Sequence, residues 1–210
     1  IVLAVGARDV LPKQDRSTTA TAQTLPASFK RFLGIVVLFT LGNATDAFIV
    51  LRGRSLGMSV VDALLMVMTF TAVYTVASIP FGRWSDRVGR RRVIIIGWTF
   101  YALVYVGLGM ATSAWQVWAL FGCYGLYYAA TEGVVRAYVA DIVPDSTRGA
   151  AYGAYHAAGG IAAIPASVGA GALWELVGPE AMFFTGALLA AIATVLFAWS
   201  TRRGDPTWSP

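Results

Sequence analysis

Six stretches of this chain are each apolar for about the 20 residues that a helix needs to cross a bilayer: residues 31–51, 60–81, 93–111, 115–143, 149–174 and 179–199. Inside hydrocarbon every backbone N–H and C=O must be bonded within the protein, which leaves only helices or a closed barrel. The stretches are continuously apolar and do not alternate every second residue as barrel strands do, so the expected fold is all-α with six transmembrane helices. Composition agrees, because 57% of the residues are apolar and only 13% are charged, about half the charged fraction of a soluble domain.

Charge then orients the segments. The run Gly82-Arg83-Trp84-Ser85-Asp86-Arg87-Val88-Gly89-Arg90-Arg91-Arg92 holds five arginines between the second and third stretches. Lys30 and Arg31 precede the first stretch, Arg148 follows the fourth, and Arg202 and Arg203 follow the sixth, whereas Arg52 and Arg54 lie on the opposite side. By the positive-inside rule the arginine run and both ends of the chain are expected in the cytoplasm, with short outer turns at 111–114 and 176–179. A basic nucleic-acid patch would need a soluble surface around it, so no nucleic-acid partner is expected. The net charge of +5 fits loops lying beside acidic headgroups of the bilayer. Cys123 is the only cysteine, which excludes an intrachain disulfide and a thiolate metal cluster. No metal and no cofactor is implied.

Residues 1–28 divide into a short apolar start, Ile1 to Val5, and a Ser/Thr/Ala-rich stretch. Positive charge follows the apolar start, opposite to the order in a signal peptide. The expectation is the end of an earlier helix and a flexible cytosolic linker. Residues 29–200 form the membrane unit, and 201–210 a cytosolic tail.

Ionisable side chains within the spans mark candidate sites, since each costs about 2.5–3.5 kcal/mol at a helix centre unless paired or hydrated. Glu132 and Arg136 stand four apart and share one helical face, with Tyr127, Tyr128 and Thr131 close by. Two readings stand: Glu132 takes a proton or cation on a transport path with Arg136 tuning it, or the two form a permanent structural bridge. In the first span Asn43 and Asp46 lie three apart, on one face if the helix is continuous. Asp46 is either a substrate or coupling-proton contact, with Asn43 as its hydrogen-bonding neighbour, or a hydrated cap. His156, the single histidine, is expected to be a hydrogen-bonded packing residue, with a proton relay as the alternative. Around it Gly153, Gly159, Gly160, Gly169 and Gly171 are expected to permit close helix contact, and Pro165 to kink the span.

The pattern Gly82-x-x-x-Asp86-Arg87-x-Gly89-Arg90-Arg91 resembles the signature loop of the major facilitator superfamily, which joins the second and third helices of each six-helix half. Pro144-x-x-x-Arg148-Gly149 is similar to the shorter loop between its fourth and fifth helices. The resemblance covers roughly residues 29–200 and implies two six-helix halves related by a pseudo-two-fold axis, with this chain as the carboxyl-terminal half. It also implies that the first and fourth helices line a central path, which adds weight to Asp46. Asp86 is implied to latch onto a helix N-terminus of the opposite half; alternatively it only offsets neighbouring arginines. Gly82 and Gly89 are expected to give the loop close backbone approach and positive φ.

The implied function is secondary active transport of a small solute by alternating access. Its partners are the solute, the bilayer and an amino-terminal half, its expected location is a bacterial inner membrane, and proton coupling is the expected energy source. A transport-incompetent half that only binds a partner is the alternative. The fifth span departs from the glycine-proline motif of drug–proton antiporters, so antiport is not assigned. An enzyme is not expected, because no Gly-x-Ser-Gly accompanies a histidine base. A mitochondrial-type carrier would need a threefold repeat that is absent.

Overall fold

The computed structural model describes residues 25–200, so the linker at 1–24 and the tail at 201–210 lie outside the described residues. Seven α-helices follow in order: α1 Ala27–Gly42, α2 Ala47–Ser55, α3 Val60–Val88, α4 Arg90–Met110, α5 Ala114–Asp141, α6 Arg148–Leu176 and α7 Pro179–Ser200. A 3₁₀ turn, Asp145–Thr147, leads into α6. Among the described residues there is no strand.

Taking α1 and α2 as one span, five helical segments are long and apolar enough to cross a membrane by length and composition. The sixth, α5, has the length but carries Gln116, Glu132, Arg136 and several tyrosines and tryptophans. The least lipid-like helix is thus the one that carries a polar face along the α3–α5 cavity. Helix α4 packs on α5 and α7, α1 on α7 and α6, and α3 on α5. The core between them is aromatic: Tyr101, Tyr105, Tyr124, Phe121, Phe183 and Phe197 are fully buried.

Two expectations about the helices need correction. The first span is not continuous from 31 to 51: it breaks at residues 43–46, where Asn43 takes φ −103° and ψ 80°. Gly42, Asn43, Thr45 and Asp46 supply the reason, since short polar side chains compete for the backbone and glycine favours the helix least. The arginine run is not an extended loop either. Helix α3 continues through Gly82 and Asp86 to Val88, and Gly89 alone separates it from α4, at φ +95°. Of the two loop glycines only Gly89 therefore uses the positive φ open to glycine; Gly82 is helical and faces open space.

The small residues of α6 also act differently from expectation. A Cβ added at Gly153, Gly159, Gly160 or Gly169 would meet nothing within 4 Å, and one at Gly171 would only reach Phe48 at 3.9 Å. Helix α6 sits at the bundle edge and leaves Ile161, Ile164 and Val168 exposed. Close approach occurs elsewhere, where Cβ atoms at Gly42 and Gly186 would come within 2.8 Å and 2.6 Å of each other's backbone oxygens. Helices α1 and α7 touch there because neither side has a side chain. Helix α6 runs unbroken through Pro165.

Candidate translocation site

The break between α1 and α2 exposes backbone groups in the middle of a membrane span, and neighbouring helices satisfy them. The Tyr101 hydroxyl of α4 donates to the Gly42 carbonyl at 2.9 Å, and it lies 3.4 Å from Asn43 Oδ1. Asp46 stands at the N-terminal end of α2, yet its carboxylate caps no backbone N–H. It accepts instead from Tyr124 at 2.9 Å on Oδ1 and from Tyr128 at 3.4 Å on Oδ2. Tyr124 also reaches Asn43 Oδ1 at 3.4 Å. Asn43 and Asp46 are joined through one tyrosine because the chain turns between them, not because a helix repeats. Among the described residues no arginine or lysine lies within ion-pairing distance of Asp46. This carboxylate is held by neutral donors only.

A second polar row runs from there toward the arginine-rich end, between α3 and α5. The two helices run parallel, since Trp118 Nε1 donates to Thr69 Oγ1 at 3.1 Å and, further along both, the Tyr74 hydroxyl donates to Glu132 Oε2 at 2.5 Å. Arg136 forms an ion pair with the other oxygen of Glu132. Tyr74, Ser78, Ser85 and Asp86 on α3 face Tyr128, Glu132 and Arg136 on α5 across a cavity of about 290 Å³. The side chains of Glu132 and Arg136 keep 37% and 47% of their surface, so the pair lines the open α3–α5 cavity and is not enclosed in the core.

At the arginine-rich end, Arg90 gathers three acceptors: the Ala137 carbonyl at 2.9 Å, Asp141 at 2.5 Å and, more loosely, Asp86 at 3.7 Å. Arg91 donates to the Ala198 carbonyl at 2.9 Å and so ties the start of α4 to the end of α7, where a cation also suits the helix dipole. Arg87 lies exposed in the last turn of α3. Arg148 pairs with Asp145 at 2.9 Å and reaches back to the Ala140 carbonyl at 3.3 Å. Thr147 closes the turn on the Pro144 carbonyl at 2.9 Å, and Gly149 enters α6.

The remaining candidates fall elsewhere. Thr131 is buried, donates to the Tyr127 carbonyl at 2.8 Å and packs against Gly97, where an added Cβ would come within 2.3 Å of its methyl group. Tyr127 is buried in the aromatic core against Tyr101 and Phe39. His156 is exposed on α6, edge-on to Tyr155 at 5.1 Å. It packs against a ring but not inside the bundle.

Sequence reasoning missed Tyr74, Tyr101 and Tyr124, which supply hydroxyls from three different places in the chain. It also missed Arg52 on the opposite side, 5% exposed, whose Nη2 donates to the Ala111 carbonyl and to Glu180 Oε1, each at 2.8 Å. That guanidinium fastens α2 to the end of α4 and the start of α7. Tyrosines at a four-residue interval, Tyr101 with Tyr105 and Tyr124 with Tyr128, were the available signal.

Residues 31–209 match the Major Facilitator Superfamily. The chain belongs to that superfamily. It is 33% identical over 180 residues to an MFS-type transporter of Methanocaldococcus jannaschii, covering 83% of this chain and 45% of the relative. It is 31% identical over 169 residues to multidrug resistance protein 2 of Bacillus subtilis, covering 80% of this chain and 40% of that one. A solved structure of an auto-inhibited POT-family peptide transporter superimposes with a TM-score of 0.69 at 17% identity, over 88% of this chain and 39% of the other, which shows a shared fold. The chain thus spans less than half the length of the curated relatives it matches. Like other members of the superfamily, it is an integral membrane protein of a transporter family and not an enzyme.

Proposed function

We propose that this chain is the carboxyl-terminal half of a proton-coupled secondary transporter that moves a small solute by alternating access. Asp46 carries the reading. A carboxylate at a broken membrane helix, bonded by two tyrosine hydroxyls and by no cation, is a group that a proton or a cationic solute can neutralise in turn. Binding either one to a state open on only one side couples their movements.

Several features support the assignment as one half. Helix α3 exposes Val60, Val61, Leu64, Met68, Val76 and Ile79, and α6 exposes its own apolar row, while the polar cavity lies along α3 and α5. A second six-helix lobe would cover the polar wall. Asp86, held only loosely by Arg90, is then available to a helix N-terminus of that lobe as a cytosolic latch. The arginine-rich end would face the cytoplasm, in a bacterial inner membrane. The Asp46 carboxylate suits a cationic solute, and the resemblance to multidrug resistance proteins of Bacillus subtilis makes a drug-like organic cation the first solute class to test.

The test uses full-length transporter in proteoliposomes and ethidium as the probe. Ethidium movement should follow an imposed pH gradient and collapse with a protonophore. Movement that persists at zero proton gradient would remove the coupling, and a partner-binding half without activity would show no movement under any gradient.

A further inference from the structure

The two donors that hold Asp46 are not equivalent. Tyr124 is fully buried, and its hydroxyl bonds Asp46 at 2.9 Å. Tyr128 is half-buried, its bond to Asp46 is the longer one at 3.4 Å, and the same residue lines the cavity between α3 and α5. Tyr128 therefore touches both Asp46 and the cavity whose lining extends to Asp86. Among the described residues the titratable groups facing Asp46 are all tyrosines, Tyr101 and Tyr105 from α4 and Tyr124 and Tyr128 from α5. Of these four, Tyr128 alone lines that cavity.

We infer that Tyr128 is the proton conduit to Asp46, and that the cavity lined by Tyr74, Ser78, Glu132 and Arg136 is its antechamber on the arginine-rich side. The inference rests on the proton-coupled reading above. Hydrated protons in the cavity are the donor. One proton joins the lone pair of the Tyr128 hydroxyl oxygen from the cavity side as the hydroxyl's own proton passes to Asp46 Oδ2. Tyr128 ends neutral, Asp46 ends as the neutral acid, and one positive charge has left the cavity water. Rotation of the hydroxyl resets the path, and the reverse sequence releases the proton.

Glu132 has a different part. Arg136 pairs with one of its oxygens and the Tyr74 hydroxyl donates to the other, so it lines the mouth of the path as half of an ion pair. Tyr74 is on this account a positioning residue.

A solute-free measurement separates the outcomes. Purified full-length transporter in lipid nanodiscs is given a rapid pH jump, and proton uptake is followed with the soluble indicator pyranine. The uptake that Asp46→Asn removes is the Asp46 signal. Tyr128→Phe should leave the size of that signal intact and slow it by about a hundredfold, the scale of a lost proton-transfer group. His156→Gln, on the exposed edge of α6, should keep it fast.

A second variant covers the case in which Tyr128→Phe does not fold. Gly133 lines the cavity, and a Cβ there meets nothing within 4 Å, so Gly133→Leu should obstruct the antechamber and slow uptake without touching Asp46. An Asp46 signal that stays fast in both variants overturns the conduit while leaving coupling in place. No Asp46-dependent signal in the unaltered protein overturns both.

Discussion

Asp46 and Glu132 are both membrane carboxylates bonded to tyrosine, and their surroundings give them opposite properties. Glu132 sits in an unbroken helix, and its own helix supplies the counter-charge one turn away at Arg136. Asp46 sits at a break, at the start of α2, whose first turn offers Ile49 and Val50 and no cation, and its bonds come from the hydroxyls of another helix. A carboxylate with its own cation has little reason to change state, because a buried or half-buried pair broken on one side leaves an uncompensated charge. One held by neutral donors is free to exchange a proton. On the proposed function, the carboxylate that no cation compensates is the one that exchanges a proton.

The comparison breaks most readily at Asp46. Asp46→Asn should remove pH-driven movement of ethidium in proteoliposomes altogether while membrane insertion and the thermal midpoint stay near those of the unaltered protein. If Asp46→Asn transports normally and Glu132→Gln does not, the roles are reversed. Next in size is the break itself. Gly42→Ala puts a methyl group within 2.8 Å of the Gly186 carbonyl and of Leu189 Cβ. It should lower unfolding stability by about 1–3 kcal/mol, the usual cost of overpacking, and thermal unfolding of the detergent-solubilised protein reads it.

Gly89→Ala tests the single-residue turn, where φ of +95° strains any side chain; the expected loss is about 1–2 kcal/mol in the same assay. Glu132→Gln should matter least, with about a fivefold loss of transport at most, corresponding to about 1 kcal/mol for a half-open ion pair. Tyr74→Phe should cost a similar amount, the worth of one hydrogen bond to a charged group in a partly hydrated place. A loss at Tyr74→Phe as large as that at Asp46→Asn would show that Glu132 is not a passive neighbour.

Much of this molecule was written in its residue order. Continuous apolar stretches require helices because hydrocarbon offers the backbone no partner, so the all-helical class follows from them. The ion pair of Glu132 with Arg136 followed from a four-residue spacing within one helix, and the placement of Gly82 to Arg92 between the second and third spans followed from charge. The extent of α3 did not. Glycine and arginine at 82–88 suggested a loop, yet helical hydrogen bonds continue because neither residue type forbids them and only Gly89 needs a conformation closed to other residues.

What the tertiary structure alone decided is which groups compensate which across helices. Asn43 and Asp46 belong together because the chain breaks between them and Tyr124 spans the gap, a contact separated by 78 residues from Asp46 in the chain. Likewise Arg52 finds its carbonyls and Glu180 only after three helices assemble, and the glycines of α6 lie idle because that helix occupies the bundle edge. Periodicity reports a helix's own faces and solvent preference. It carries no information about the depth and rotation at which two helices meet, and those set both the neutral cage around Asp46 and the charged one around Glu132.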